Sequence, residues 1–169
     1  GITGYAFSCP DMIGGGQMGD FLGKDKNNLD HELFIRYAQA SCLMPMMQFS
    51  LDIWNISEQI KNVCLKCIDL HQKYSDYIIQ LVEHASITGE PIVRYMEYCF
   101  PNKSYGKITS QFMLGDDILV APVLSKGHTT KMVYIPDGKW QYKDKIYSNE
   151  VAIIPAPLDE LVYLTKVKD

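Results

Sequence analysis

A chain of 169 residues, 47% apolar and 21% charged, has the size and composition of one folded domain or a small pair. Its net charge of −4 gives no electrostatic case for nucleic acid or an anionic membrane, and no apolar run reaches the ~18 residues of a membrane span. The five cysteines are odd in number and widely scattered, which does not make a disulfide framework.

The chain opens on an apolar run, Tyr5-Ala6-Phe7, that stops at Pro10, presents Asp11, and enters the glycine run Gly14-Gly15-Gly16. This pattern predicts a buried strand passing into a loop. The glycines permit positive φ and close approach of another group. Asp11 then has two readings, a carboxylate on the rim of a pocket or a turn residue capping its own backbone. Residues 17–30 read as a polar surface loop. Asp30 is a helix N-cap with Glu32 in the first turn, and Leu33, Phe34, Tyr37, Ala38 and Ser41 follow at helical spacing. Pro45 ends or kinks that helix, amid an apolar patch of Met44, Met46, Met47 and Phe49.

Ser57 caps the next helix, whose apolar stripe runs from Ile60 through Cys67 and Ile68 to Ala85, with a break expected near Ser75 because thirty unbroken residues would be long for a globular domain. Gly89 and Pro91 stop it in the expected order. Cys64 and Cys67 have redox or zinc spacing, but they read as small apolar residues on the helix face rather than as metal ligands. Ile92–Phe100 reads as a buried strand, interrupted by Arg94 and Glu97. The order strand, loop, helix, helix, strand fits a parallel sheet with helices on its faces. After about residue 108 come short β-rich runs at Ile118–Val123, Lys131–Ile135, Lys139–Tyr142, Val151–Ile154 and Leu161–Lys166, separated by turn signals, which predict an antiparallel sheet or sandwich. Two parallel strands cannot close an α/β barrel of ~250 residues, so the layout reads as the carboxyl end of something larger.

No Ser–His–Asp, P-loop, zinc or dinucleotide signature is present. The neighbouring pairs Asp116-Asp117 and Asp159-Glu160 read as turn and surface carboxylates. Trp54 either stacks on a sugar ring through its apolar face or plugs the core. Gln48 and Ser50 are uncharged hydrogen-bonding groups close by. Asn55-Ile56-Ser57 and Asn102-Lys103-Ser104 match the N-glycosylation acceptor pattern, so Asn55 and Asn102 favour a secretory-pathway location, in the endoplasmic reticulum or outside the cell.

The succession Gly4-Tyr5-Ala6-Phe7, Pro10-Asp11-Met12-Ile13-Gly14-Gly15, Glu32-Leu33-Phe34-Ile35-Arg36-Tyr37, Pro45, Gln48-Phe49-Ser50, Gly89-Glu90-Pro91-Ile92-Val93-Arg94, Ser110 to Asp116, Leu119 to Leu124, Tyr134-Ile135-Pro136 and Gly138-Lys139-Trp140 resembles glycoside hydrolase family 31, with Pro10 to Gly15 and Gln48 to Ser50 closer to its myogenesis-regulating glycosidase branch than to the common α-glucosidases. The resemblance implies an α/β plus β chain. Residues 1–107 would be the last βα units of a (β/α)8 TIM barrel, and residues 108–169 an antiparallel β-sandwich. It implies part of a retaining α-glycosidase acting on an α-galactoside or α-glucoside, with its two catalytic aspartates upstream of Gly1 and none in this chain. Asp11 would accept hydrogen bonds from sugar hydroxyls, with Gln48, Ser50 and Trp54 nearby. Ser50 stands where the common α-glucosidases carry a histidine that contacts the sugar. The expected partner is a carbohydrate substrate, with no nucleic acid, no metal and no organic cofactor. Any membrane contact would run through an anchor upstream, and oligomeric state is left open. The alternatives are a non-catalytic carbohydrate-binding or chaperone-like protein on the same fold, and an α-glucan lyase.

Overall fold

The computed structural model describes residues 5–15 and 29–168; Gly16 and the polar loop at 17–28 lie outside the described residues. Three substantial helices come first. Helix α1, His31–Ser41, begins at Asp30, whose side chain accepts from the Leu33 amide. Such a cap contributes about 1 kcal/mol. Helix α2, Glu58–Lys73, is capped by Ser57 through the Ile60 amide, and helix α3, Ser75–Thr88, ends at Gly89 in the left-handed region at φ +75°. The apolar stripe from Ile60 to Ala85 is therefore two helices broken at Tyr74, as its length demanded.

The named strands among the described residues pair antiparallel. Strands β1 (Val93–Arg94), β2 (Phe112–Leu114), β3 (Ile118–Val120), β5 (Trp140–Tyr142), β6 (Lys145–Tyr147) and β8 (Tyr163–Lys166) form one sheet in the order β1-β2-β3-β8-β5-β6; β4 (Thr130–Ile135) and β7 (Glu150–Pro155) pair as a second. Side chains on the larger sheet alternate between two cores. Leu114, Ile118 and Val120 join the helical core with Phe34, Ile60, Cys64 and Ile78. Met113, Leu119, Leu164 and Trp140 pack against Val133, Ile135, Ala152 and Ile154 of the second sheet. The larger sheet is thus the middle of three layers, helices on one face and the two-stranded sheet on the other. The expectation of an antiparallel sandwich in this half of the chain holds.

Two expected strands are corrected. Ile92–Phe100 is not a parallel strand: Val93 and Arg94 pair antiparallel with Leu114 and Met113, and Met96–Cys99 forms a helical turn, α4. A continuous apolar run does not by itself distinguish a strand from a buried helix. The interrupting charges were the better signal. Arg94 folds back onto the Pro91 carbonyl (2.7 Å) and pairs with Asp116 (2.5 Å), while Glu97 accepts from the Asn102 and Tyr105 amides. Among the described residues the segment before Pro10 contains no strand either, with Tyr5 and Phe7 exposed. There the Ile92 amide donates to the Ala6 carbonyl (3.1 Å). Parallel pairing occurs later, as a single bridge between Ile13 and Phe49.

Candidate functional site

The Ile13–Phe49 bridge organises the residues around Asp11. Ile13 is fully buried; its amide donates to the Gln48 carbonyl (2.8 Å), and its carbonyl accepts from both the Ser50 amide (3.0 Å) and the Ser50 hydroxyl (3.0 Å). One buried residue is therefore clamped by three hydrogen bonds to the segment that carries Gln48 and Ser50. Asp11 lies two residues earlier, with its carboxylate exposed and one oxygen accepting from the Met12 amide at 2.8 Å. This bond reaches only the next amide; the Ile13 amide, which an Asx-turn would use, donates to Gln48 instead, and the carboxylate still reaches solvent. Tyr37 on α1 holds its proton above the usual phenol range, first through burial and then through the negative charge of Asp11.

The glycine run approaches a side chain of this same chain. Gly14 sits at φ +81°, and a Cβ there would fall 2.5 Å from Cε2 of Phe34 and 3.2 Å from the Ser50 hydroxyl. Phe34 in turn stacks on Phe49, with centroids 6.2 Å apart and ring planes 26° from parallel. The close neighbour that Gly14 admits is thus the α1 aromatic, which fixes the turn after Asp11 against the helical core.

Asp11, Gln48 and Ser50 are brought onto adjacent segments. The Gln48 side chain is exposed and makes no hydrogen bond among the described residues. The Ser50 hydroxyl is committed to Ile13. Trp54 is 65% exposed in a 3-10 turn, Ile53–Asn55, with its amide held by the Asp52 carboxylate (3.0 Å); a core plug is excluded. Asn55 is exposed with its amide bonded to Asp52 (2.5 Å), and Asn102 is exposed at φ +65°. What the sequence reading missed is the role of Ile13, Gly14 and Phe34, for which the signal was a glycine directly after an apolar residue.

The other singled-out groups take structural positions. Cys64 and Cys67 are buried on the inner face of α2, beside Cys42. Burial pushes the Cys64 thiol up to about 12, and a hydrogen bond with Cys67 that favours the neutral thiol, together with burial, raises Cys42 well above its ordinary value. Neutral thiols of this kind pack as small apolar groups. His71 turns its Nδ1 to the Cys42 carbonyl at 2.9 Å. Among the described residues no cluster of His, Cys, Asp and Glu could hold a metal ion, and no helix is long and apolar enough to cross a membrane. Asp116 and Asp117 occupy the β2–β3 turn and pair with Arg94 and Lys168; Asp159 and Glu160 pair with Lys66 and Lys143.

The sequence and fold of this chain are similar to those of a class of sugar-processing proteins. Residues 89–166 match the family model of the glycosyl hydrolase family 31 C-terminal domain. The chain is 34% identical, over 97% of its length, to myogenesis-regulating glycosidase of Mus musculus, and 33% identical, over 85%, to SITS-binding protein of Tetronarce californica. It superposes on a family 31 dextranase of Flavobacterium johnsoniae complexed with glucose, with TM-score 0.76 and 29% identity, covering 80% of this chain and 18% of that one. The chain belongs to glycosyl hydrolase family 31. It spans 24% of the mouse protein and 20% of the Tetronarce protein.

Proposed function

We propose that this chain is part of a retaining α-glycosidase. The segments of this chain up to α3 supply the last units of a (β/α)8 barrel, and the sheet that begins at Val93 supplies the sandwich behind them. In the reaction a carboxylate displaces the leaving group at the anomeric carbon while a second carboxyl protonates the departing oxygen, and water then hydrolyses the glycosyl-enzyme. Both groups stand ~5 Å apart in retaining enzymes and come from barrel segments before Gly1. Asp11 accepts hydrogen bonds from sugar hydroxyls, with the free Gln48 amide alongside and the exposed Trp54 as a stacking face. The observation that carries this reading is the Ile13–Phe49 parallel bridge, which sets Asp11 and Gln48 on neighbouring segments with both side chains open to solvent. The sugar is an α-galactoside or α-glucoside. The exposed acceptor sites Asn55 and Asn102 support passage through the secretory pathway.

The test is Asp11→Asn in the longer protein containing this chain. A charge-assisted hydrogen bond is roughly twice as strong as a neutral one, so the loss is ~1.5–3 kcal/mol, or about ten- to a hundredfold in kcat/KM. Asparagine makes the same backbone turn, so unchanged kinetics would reduce Asp11 to a turn residue and remove the proposed subsite. The second reading is a binding protein without turnover. It draws support from the similarity to a relative whose name states binding, and it predicts saturable sugar binding with no hydrolysis of aryl α-galactosides or α-glucosides by that longer protein.

A further inference from the structure

Three cysteines meet in the helical core. Cys42 closes the last turn of α1 and is fully buried, Cys64 is fully buried on α2, and Cys67, one turn further on, is 4% exposed. All three are free thiols. The backbone holds Cys42 against α2, because His71 Nδ1 meets the Cys42 carbonyl at 2.9 Å. His71 follows Cys67 by four residues and so lies on the same face of the helix. The two side chains meet as well, with a hydrogen bond between Cys42 and Cys67.

These positions select one pairing. Cys64 and Cys67 are three residues apart on one helix, where Cβ atoms stand ~5–6 Å from each other. A disulfide needs them at ~3.5–4.5 Å, so that bridge would unwind α2. Cys42 and Cys67 belong to different elements, and their bond asks for side-chain rotation in place of helix distortion. Access is graded in the same sense. Cys67 lines the groove between α2 and the six-stranded sheet, whereas Cys42 lies behind it with no exposed surface.

We propose that Cys42 and Cys67 form a disulfide that joins the end of α1 to α2, made by exchange with a small-molecule or protein disulfide. Cys67 attacks the oxidant as the thiolate, and one half of the oxidant leaves. The Cys42 sulfur then displaces the other half from Cys67. Two electrons pass to the oxidant, both protons end on its two thiols, and one S–S bond forms for the one broken. The bridge in the cell rests on the secretory-pathway reading, since such bonds persist in oxidising compartments; the apposition of the two sulfurs does not.

The experiment treats the 169-residue chain with glutathione disulfide, alkylates the remaining thiols and digests with trypsin. Cys9→Ser removes the exposed thiol beforehand. Cleavage after Lys61 and Lys66 separates Cys64 from Cys67, so each pairing gives its own linked peptides. Expected are loss of two hydrogens per chain, linkage of peptides 37–61 and 67–73, and a melting temperature about 6–12 °C above that of the reduced chain, from closing a loop of about 25 residues. Cys64→Ala keeps the linkage, and Cys42→Ala abolishes it. Linkage of 62–66 to 67–73, a glutathione adduct on Cys67 that never resolves, or thiols that stay free at saturating oxidant overturns the pairing. The longer protein recovered from the secretory pathway carries the same linked peptides. Free thiols there, with the linkage formed in the 169-residue chain, overturn the bridge in the cell and leave the apposition standing.

Discussion

The Arg36 guanidinium on helix α1 donates to the Ala156 carbonyl at 3.0 Å, across 120 residues of sequence. Further bonds run to the carbonyls of His128 (2.9 Å) and Pro157 (3.2 Å) and to the Gln39 side chain (3.0 Å), and Gln39 itself donates to Leu158 (2.8 Å). Arg36 is 6% exposed and forms no salt bridge among the described residues. Burial lowers its proton affinity, and Glu32 one turn back raises it. A planar five-donor fork suits several fixed carbonyls in a way that a lysine ammonium does not.

Arg36→Ala therefore strands three loop carbonyls, and Arg36→Lys recovers only part of the loss. The expected destabilisation is about 3 kcal/mol for alanine, from charge-assisted hydrogen bonds of ~1.5–3 kcal/mol each that are only partly replaced by water. Urea unfolding monitored by the two tryptophans measures it, and a lysine variant as stable as the parent refutes the fork.

Gly14→Ala destabilises through two separable causes, the positive φ and the overlap with Phe34. Together they cost about 2 kcal/mol. In a Phe34→Leu background the overlap is relieved and only the backbone strain persists, so the same substitution costs about 1 kcal/mol there. Equal costs in both backgrounds would show that the aromatic does not set the glycine.

Ser50→Ala removes one of the two donors to the Ile13 carbonyl, at an expected cost of about 1 kcal/mol, seen as a lower melting temperature of this chain. A hydroxyl available to a sugar instead leaves stability unchanged and raises KM in the longer protein.

Lys131 is 8% exposed, with its ammonium on the Ser110 carbonyl at 2.7 Å and no carboxylate partner among the described residues. Burial drops its pKa from 10.5 to about 8. Between those values the unfolded chain binds the proton that the folded chain has shed, so this residue's contribution to stability rises with pH. Below about pH 8 the burial penalty is fully present, and above 10.5 it is gone. The raised Cys64 and Cys99 thiols act oppositely at high pH, so the informative quantity is parent stability minus that of Lys131→Met. It rises by up to ~3 kcal/mol from pH 8 to 10.5 at about 1.4 kcal/mol per unit, measured by urea unfolding at each pH. A flat difference refutes the buried-cation account.

How much was legible depended on how local the signal was. Asp30, Ser57 and Gly89 cap as read, because capping is decided within four residues. Ile118–Val120 reads as continuous rather than alternating because both its faces are covered, Ile118 and Val120 by helices and Leu119 by the second sheet. Strand β6 was invisible, since Lys145 and Ile146 are exposed and carry no pattern. At the candidate site, Asp11 announced itself through its loop context. The Ile13 clamp did not, because its partners Gln48 and Ser50 lie more than thirty residues away and meet it through backbone atoms that no side chain advertises.

The middle sheet is a party wall. Met113 faces one room and Leu114 the other, and no cut in the sequence separates the plaster on the two sides. A recombination event that exchanged only the sandwich with a relative's would import a wall finished for a different set of helices, leaving Ile118, Val120 and Tyr163 against the wrong ridges. Grafting is workable only as a block carrying α2 and α3 with the sheet. Gly115 marks the tightest join, where a Cβ would lie 2.7 Å from the Leu81 side chain and closer still to the Tyr77 hydroxyl. The helical layer and the sandwich are therefore inherited as one piece of masonry.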